Sequence, residues 1–359
     1  MVEQKRIALR TVAFFLVAGL FVFLLYIYFF VPLPDLIQTI KQVNPFYFLL
    51  ALAALFISAV FYALTWQSLL KMVSVKASLL KTFQFCWVAN FVDVLVPAES
   101  LSGDLSRIYF MSRESEGSAG KVVASVLSHR VLGTFVTVAG LFISTIYFVI
   151  YYKAPLLVLE IIGIISALNA FYIGLMFYVS TRRETTEKIV DWIVRILVRI
   201  FRGRWKLEHL KESAMKALSM FYEGIATLSG NPRDLILPLF FQILAWLFDI
   251  LIAVLVFLSM DSLETTISLS AIVIVYTVSI VIHYIPVVSG ELGIMEIVMT
   301  SMFTLLGNPQ DIAVFAAATV LIRVLTLWIR LLVGGIIVQI LGIKSLILSK
   351  RSNNSSNIK

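Results

Sequence analysis

The chain has 359 residues, 60% of them hydrophobic and only 14% charged, with a positive mean hydropathy. No soluble globular chain of this length has that balance, so composition excludes a soluble enzyme or binding module and places the protein in a membrane. The net charge of +8 would suit a nucleic-acid partner, but Lys and Arg gathered on the cytoplasmic side of a membrane protein explain it without a polyanion.

In chain order, Lys5, Arg6 and Arg10 accompany an apolar run over 7–30. That run is too long for a signal-peptide core and has no small-residue cleavage site, so it reads as a retained first span. Further spans follow at about 46–70, 119–151, 154–179, 234–259 and 311–341, each with the ~20 residues that cross ~30 Å of hydrocarbon. Three apolar stretches are shorter or interrupted: 79–97, 269–285 and 292–306. The first carries Lys81, Gln84, Asn90 and Asp93 and would make a poor lipid-facing helix. The fold class expected is an all-α polytopic membrane protein, with about six full spans and two re-entrant or broken-helix hairpins.

Positive charge orients the spans. Lys71, Lys76 and Lys81 put the end of the second span in the cytoplasm, and the 181–235 loop carries eleven basic residues, from Arg182 to Arg233. Both obey the positive-inside bias only if 79–117 is a hairpin that enters and leaves on the cytoplasmic side. The 260–268 loop, with Asp261 and Glu264 and no basic residue, then lies outside, and the N- and C-termini are cytoplasmic at the cell membrane. Residues 1–151 form a first repeat and 152–345 a second of opposite orientation, with a cytoplasmic helical loop at 181–233 and a broken-helix hairpin at 269–306. That second hairpin could instead cross the membrane twice. Within the loop, 190–201 has the pattern of an interfacial amphipathic helix, and a second helix follows Gly203. The Ser/Asn-rich tail 346–359 is expected to be disordered.

Two short stretches break the apolar pattern where candidate chemistry concentrates. Pro97 to Leu105 contains Ser-Gly-Asp-Leu, and Ile285 to Glu296 contains Ser-Gly-Glu-Leu. Irregular backbone at membrane depth survives only where it is buried in protein or lines a cavity, and broken helices there are where transporters build substrate sites. Pro97, Gly103, Pro286, Gly290 and Gly293 are expected to shape these breaks. Ionisable groups at such depth are costly and face a bundle interior. They include Asp93, Asp104, Arg107, His129, Arg130, Asp249, Glu291, Glu296, Arg323 and Arg330. Asp249 and Arg330 have an ion pair that fixes helix packing as their plainest role. Arg130 and Arg323 each lie about twelve residues into the closing span of their half; for Arg323 the expected partner is a transported phosphate rather than a carboxylate.

No Gly-rich phosphate loop, zinc signature or nucleophile elbow is present, so no catalytic residue, metal or cofactor is expected. The single Cys86 and three His fit neither a disulfide nor a zinc site.

The order Asn90, Asp93, Pro97, Gly103-Asp104-x-x-Arg107, Arg130 resembles the first signature of the flippase-like membrane region of lysylphosphatidylglycerol synthases. Ile285-Pro286, Gly290-x-x-Gly293-x-x-Glu296, Gly307, Arg323 and Gly334 resemble the second, with Ser289-Gly290-Glu291-Leu292-Gly293 standing where the pattern has Gly-Gly-x-Gly. The region is also similar to the membrane half of archaeal dolichol-phosphate glycosyltransferases. The resemblance covers about 10–342 and implies a lipid moved between leaflets. The synthases' soluble aminoacyl-transferring domain is not in this sequence, so synthesis of a lysyl-lipid is not expected. The function expected is a flippase or scramblase for a lipid with an anionic headgroup, phospholipid or polyprenyl-phosphate-linked. Arg107, Arg130, Arg323 and Asn90 would hold the headgroup, the guanidinium fork suiting two phosphate oxygens. Asp104, Glu291 and Glu296 would pair with the arginines or carry protons. The alternatives are a non-transporting partner of a lipid-modifying enzyme and a membrane-embedded lipid transferase; oligomers are compatible with either.

Overall fold

The computed structural model describes residues 38, 41–95, 101–115, 118–152, 156–188, 191–192, 207–262, 266–283 and 291–341. The expected first span, Pro97, Pro286, Gly290, the 193–200 part of the loop and the C-terminal tail lie outside the described residues. Among the described residues, ten helices of at least 14 residues carry the architecture: α1 (Pro45–Met72), α2 (Leu79–Leu95), α3 (Leu101–Glu114), α4 (Ala119–Tyr151), α5 (Leu156–Thr181), α6 (Leu207–Gly230), α7 (Arg233–Ser259), α8 (Leu269–His283), α9 (Glu291–Leu306) and α10 (Pro309–Leu341). The protein is an all-α polytopic membrane protein, and α1, α4, α7 and α10 are long and apolar enough to cross a bilayer.

Three of those four long helices begin the same way. Asn44-Pro45, Asn231-Pro232 and Asn308-Pro309 open α1, α7 and α10, and each Asn side chain accepts a backbone N–H two residues on. Asn satisfies an orphan donor of the first turn, and Pro, which has no N–H to lose, presets the helical φ. In α7 and α10 the first turn is a tight 3-10 turn before the α-helix proper.

The short helices come in pairs. At ~1.5 Å per residue, the 17, 14, 15 and 16 residues of α2, α3, α8 and α9 give lengths of about 21 to 26 Å, short of the ~30 Å of hydrocarbon. The α2–α3 hairpin has its base at the C-terminal end of α1, where Lys81 at the start of α2 pairs with Glu114 at the end of α3. The α8–α9 hairpin has its base at the other end. There the Asn44 N–H donates to the Ser259 carbonyl at 2.7 Å, and the Asn308 N–H donates to the Thr266 carbonyl at 3.2 Å. The two hairpins therefore enter the bundle from opposite ends. Lengths recur accordingly: α1 to α4 have 28, 17, 14 and 33 residues, and α7 to α10 have 27, 15, 16 and 33.

Apolar packing is split between the ends. One cluster joins Ala51 and Leu55 of α1 to Ile252–Phe257 of α7, Ile272 and Val275 of α8, Phe303 of α9 and Phe315 of α10. The other joins Trp66, Leu69 and Leu70 of α1 to Phe85 of α2, Met111 of α3, Val122 and Val126 of α4, and Phe221 of α6. Between them lies a polar layer.

Candidate functional site

The polar layer holds a cavity of about 180 Å³, and the inner ends of both hairpins reach it: Asn90 and Asp93 from α2, Asp104 and Arg107 from α3, Ser279 from α8, Met295 from α9. Long helices supply His129 and Arg130 (α4), Asp249 (α7), and Arg323 and Arg330 (α10).

At the first hairpin a carboxylate holds the turn. Asp93 Oδ1, near the end of α2, accepts from the Gly103 N–H at 2.6 Å and from the Ser102 hydroxyl at 2.8 Å. It thereby caps the N-terminus of α3 from a different helix, where orphan N–H groups and the helix dipole favour negative charge. A side chain at Gly103 would run into Asp93 itself and into the Ala89 carbonyl, 2.7 Å from the Cβ position, so only glycine fits. The next residue, Asp104, is shared. Its Oδ1 takes Arg107 Nη2 at 2.6 Å and Nε at 3.0 Å, and its Oδ2 takes Arg130 Nη1 at 2.7 Å. Arg107 Nη1 meets His129 Nδ1 at 3.0 Å, and the guanidinium lies over the rings of Tyr62 and Trp66.

The second hairpin repeats the logic within one helix. Glu296 is fully buried; its Oε2 accepts the Gly293 N–H at 2.6 Å and its Oε1 accepts Arg323 Nε at 2.8 Å. Gly293 has φ 87°, a left-handed conformation that favours glycine. The separations agree across the halves, with 26 residues from Asp104 to Arg130 and 27 from Glu296 to Arg323. Beyond Arg323, α10 widens into a π-helix over Val324–Ile329 before Arg330. Such wide turns gather at functional sites, and this one lies between two cavity-lining arginines. Arg330 Nη2 donates to Asp249 Oδ1 at 3.0 Å.

Thus Asp104, Arg107, Arg130, Asn90 and Arg323 come together at one cavity, with Glu296 bonded in its wall. Glu291 opens α9, but its side chain lies outside the described residues. Two expectations change. Arg107 was expected to contact a headgroup, yet all three of its nitrogens engage Asp104 or His129, so its geometry is that of a residue holding Asp104 in place. Arg323 was expected to meet a phosphate rather than a carboxylate, yet its Nε is bonded to Glu296. Sequence reasoning also missed the uncharged wall: Ser58 and Tyr62 on α1, Tyr276 and Ser279 on α8, and Thr326 on α10. Their spacing was the available signal, because hydroxyls three or four residues apart in an apolar helix share one face. Among the described residues, no group of three or more His, Cys, Asp and Glu side chains could hold a metal ion.

Bundle and cavity together define a multi-pass membrane protein with an arginine- and carboxylate-walled polar site between its apolar clusters. The chain belongs to the family described as the lysylphosphatidylglycerol synthase TM region, which matches residues 16–334. It is 26% identical over 295 residues to a UPF0104 membrane protein of Pyrococcus horikoshii, covering 81% of this chain and 86% of that one. A UPF0104 membrane protein of Methanocaldococcus jannaschii is 25% identical over 334 residues, covering 92% of this chain and 93% of the relative. One from Methanothermobacter thermautotrophicus is 26% identical over 293 residues, 81% and 84% of the two chains. No solved structure matches the chain.

Proposed function

We propose that the protein moves a lipid with an anionic headgroup, phospholipid or polyprenyl-phosphate-linked, from one leaflet to the other. The observation that carries this reading is the cavity. It lies between two apolar clusters, and guanidiniums from the first half (Arg130) and the second (Arg323) line it together. Arg130 meets the headgroup phosphate, joined by Arg323 while its Nε stays on Glu296; Asn90 donates to the phosphate, and Arg107 keeps Asp104 oriented toward Arg130. In this reading each half is a repeat, 1–151 and 152–345, and the short hairpins are re-entrant. Their entry from opposite ends supports an inverted pair, in which the site at the hairpin tips can open alternately to either face. The end carrying Lys71, Lys76 and Lys81 faces the cytoplasm by the positive-inside bias, at the cell membrane.

The test is reconstitution of the full chain into phosphatidylcholine vesicles holding a trace of fluorescent phosphatidylglycerol. A membrane-impermeant quencher should bleach nearly all of the label when the protein is present and about half without it. Arg130→Lys should slow that exchange, because an ammonium presents a point charge where the guanidinium offers a fork. Bleaching that stops at half with wild-type protein would end the transport reading.

A further inference from the structure

The charges that the described residues bring to the cavity cancel. Among the described residues, the guanidiniums of Arg107, Arg130, Arg323 and Arg330 line it, as do the carboxylates of Asp93, Asp104 and Asp249; a fourth carboxylate, Glu296, is bonded to Arg323. A phosphodiester that enters such a site at membrane depth meets no net positive charge and carries its own charge into a poorly solvating interior. If one carboxylate is protonated, the site gains a charge of +1, and headgroup and site together are neutral.

The four carboxylates are not equivalent. Asp93 holds the N-terminus of α3, Asp104 divides its oxygens between two arginines, and Glu296 is fully buried and tied to both Gly293 and Arg323. Protonating any of these would loosen a hairpin tip. Asp249 belongs to a long helix, pairs with Arg330 at 3.0 Å beside the Ser58 hydroxyl, and leaves about a quarter of its side chain (24%) exposed at the cavity wall. Four helices packed on α7 bring polar groups to that wall. From α10 come Arg330 and Arg323, from α8 Tyr276, from α1 Ser58 with its hydroxyl on the Ala245 carbonyl, and from α4 Arg130 and His129.

We propose that lipid movement is coupled to a proton carried on Asp249. This rests on the lipid-transport reading above and supplies its energy source. The Asp249 carboxylate takes a proton from water on the donor side and becomes a neutral acid, and the ion pair with Arg330 opens. Arg330 then turns its guanidinium to the headgroup as a further donor. When the lipid leaves into the opposite leaflet, the proton passes to water on that side and the pair re-forms. One proton and one singly charged lipid cross together, and no net charge moves.

The test uses the full chain in phosphatidylcholine vesicles with a minor share of phosphatidylglycerol, a trace of its fluorescent analogue, and a pH dye in the lumen. With a pH gradient imposed, labelled phosphatidylglycerol should accumulate in the leaflet facing the alkaline side, toward a limit of about tenfold per pH unit for one proton per lipid. The lumenal dye should report protons moving with it. Labelled phosphatidylethanolamine, a zwitterion, should ignore the gradient. Asp249→Asn should exchange lipid without response to pH. If wild-type exchange persists but ignores the gradient, proton coupling is wrong and transport stands. If no labelled lipid moves, both fall. A gradient response retained by Asp249→Asn would overturn Asp249 as the proton site. Should that variant fail to fold, the wild-type gradient arm decides alone.

Discussion

Arg323 reaches Glu296 through Nε, and that contact sets what removing the arginine costs. Glu296 has no exposure and Arg323 only 8%. Arg323→Ala strands a carboxylate in the interior, and breaking such a pair by removing one partner costs about 3–5 kcal/mol. We expect a large fall in thermal melting in detergent. Arg323→Met combined with Glu296→Gln should recover most of it, because Gln removes the charge yet can still accept from the Gly293 N–H. A double variant that melts as low as the single one would show that the stranded charge is not the cause. His129 is decided by donor arithmetic. Arginine only donates, so at 3.0 Å His129 Nδ1 must accept, which places the ring proton on Nε2 and keeps the ring neutral. A second positive charge there would face Arg107 directly, so His129 is a poor proton carrier. His129→Gln should keep an acceptor and melt near wild type, whereas His129→Leu should lose about 1–3 kcal/mol by leaving a buried donor unmet. The sequence made the charged side chains of this layer conspicuous, because ionisable groups stand out in apolar spans. It could not pair those that meet across helices, since Arg130, Arg323 and Arg330 find their carboxylates 26, 27 and 81 residues away.

Helix ends were the most legible feature at the next scale. The stretches 119–151, 234–259, 269–285 and 292–306 correspond to α4, α7, α8 and α9 within three residues, because Asn-Pro pairs, glycines and charge bound the apolar runs. The π-helix in α10 was not legible. Val-Leu-Thr-Leu-Trp-Ile is ordinary apolar helix sequence, and nothing in it marks the wide turn between Arg323 and Arg330. Two glycines have definite duties in these elements. Gly293→Ala places a side chain at φ 87° and should cost roughly 1–2 kcal/mol, while also disturbing the N–H that Glu296 accepts. Gly334 lets α10 approach α2, since a Cβ there would lie 2.7 Å from Phe91 Cβ and 2.8 Å from the Trp87 carbonyl. Backbone cannot yield as a flexible side chain does, so Gly334→Ala should push α2 away from α10. Reduced melting together with faster hydrogen exchange across α2, relative to α8, would report that displacement; unchanged exchange would mean the hairpin tolerates the methyl.

At the scale of the whole molecule, charge and connectivity make independent statements about orientation. By the positive-inside bias the 181–235 loop, with its eleven basic residues, is expected on the cytoplasmic side. Connectivity assigns Lys71, the base of the α2–α3 hairpin and the start of α4 to one end of the bundle. At that end Lys121 of α4 pairs with Glu223 of α6 at 3.1 Å. The opposite end gathers Asn44, Ser259, Thr266 and Asn308 through two backbone bonds, and the exposed residues there include Asp261 and Gln310. The two statements agree only if both short hairpins return to the end from which they start. Cysteines can check this in a Cys86→Ser background, which removes the one native thiol. Arg113→Cys and Glu212→Cys should react with a membrane-impermeant maleimide only from the cytoplasmic face, and Asp261→Cys and Gln310→Cys only from outside. Labelling of Arg113→Cys from outside would mean that α2 and α3 do not both return. That would place the basic loop on the wrong face and remove the opposed hairpins on which a two-sided site depends.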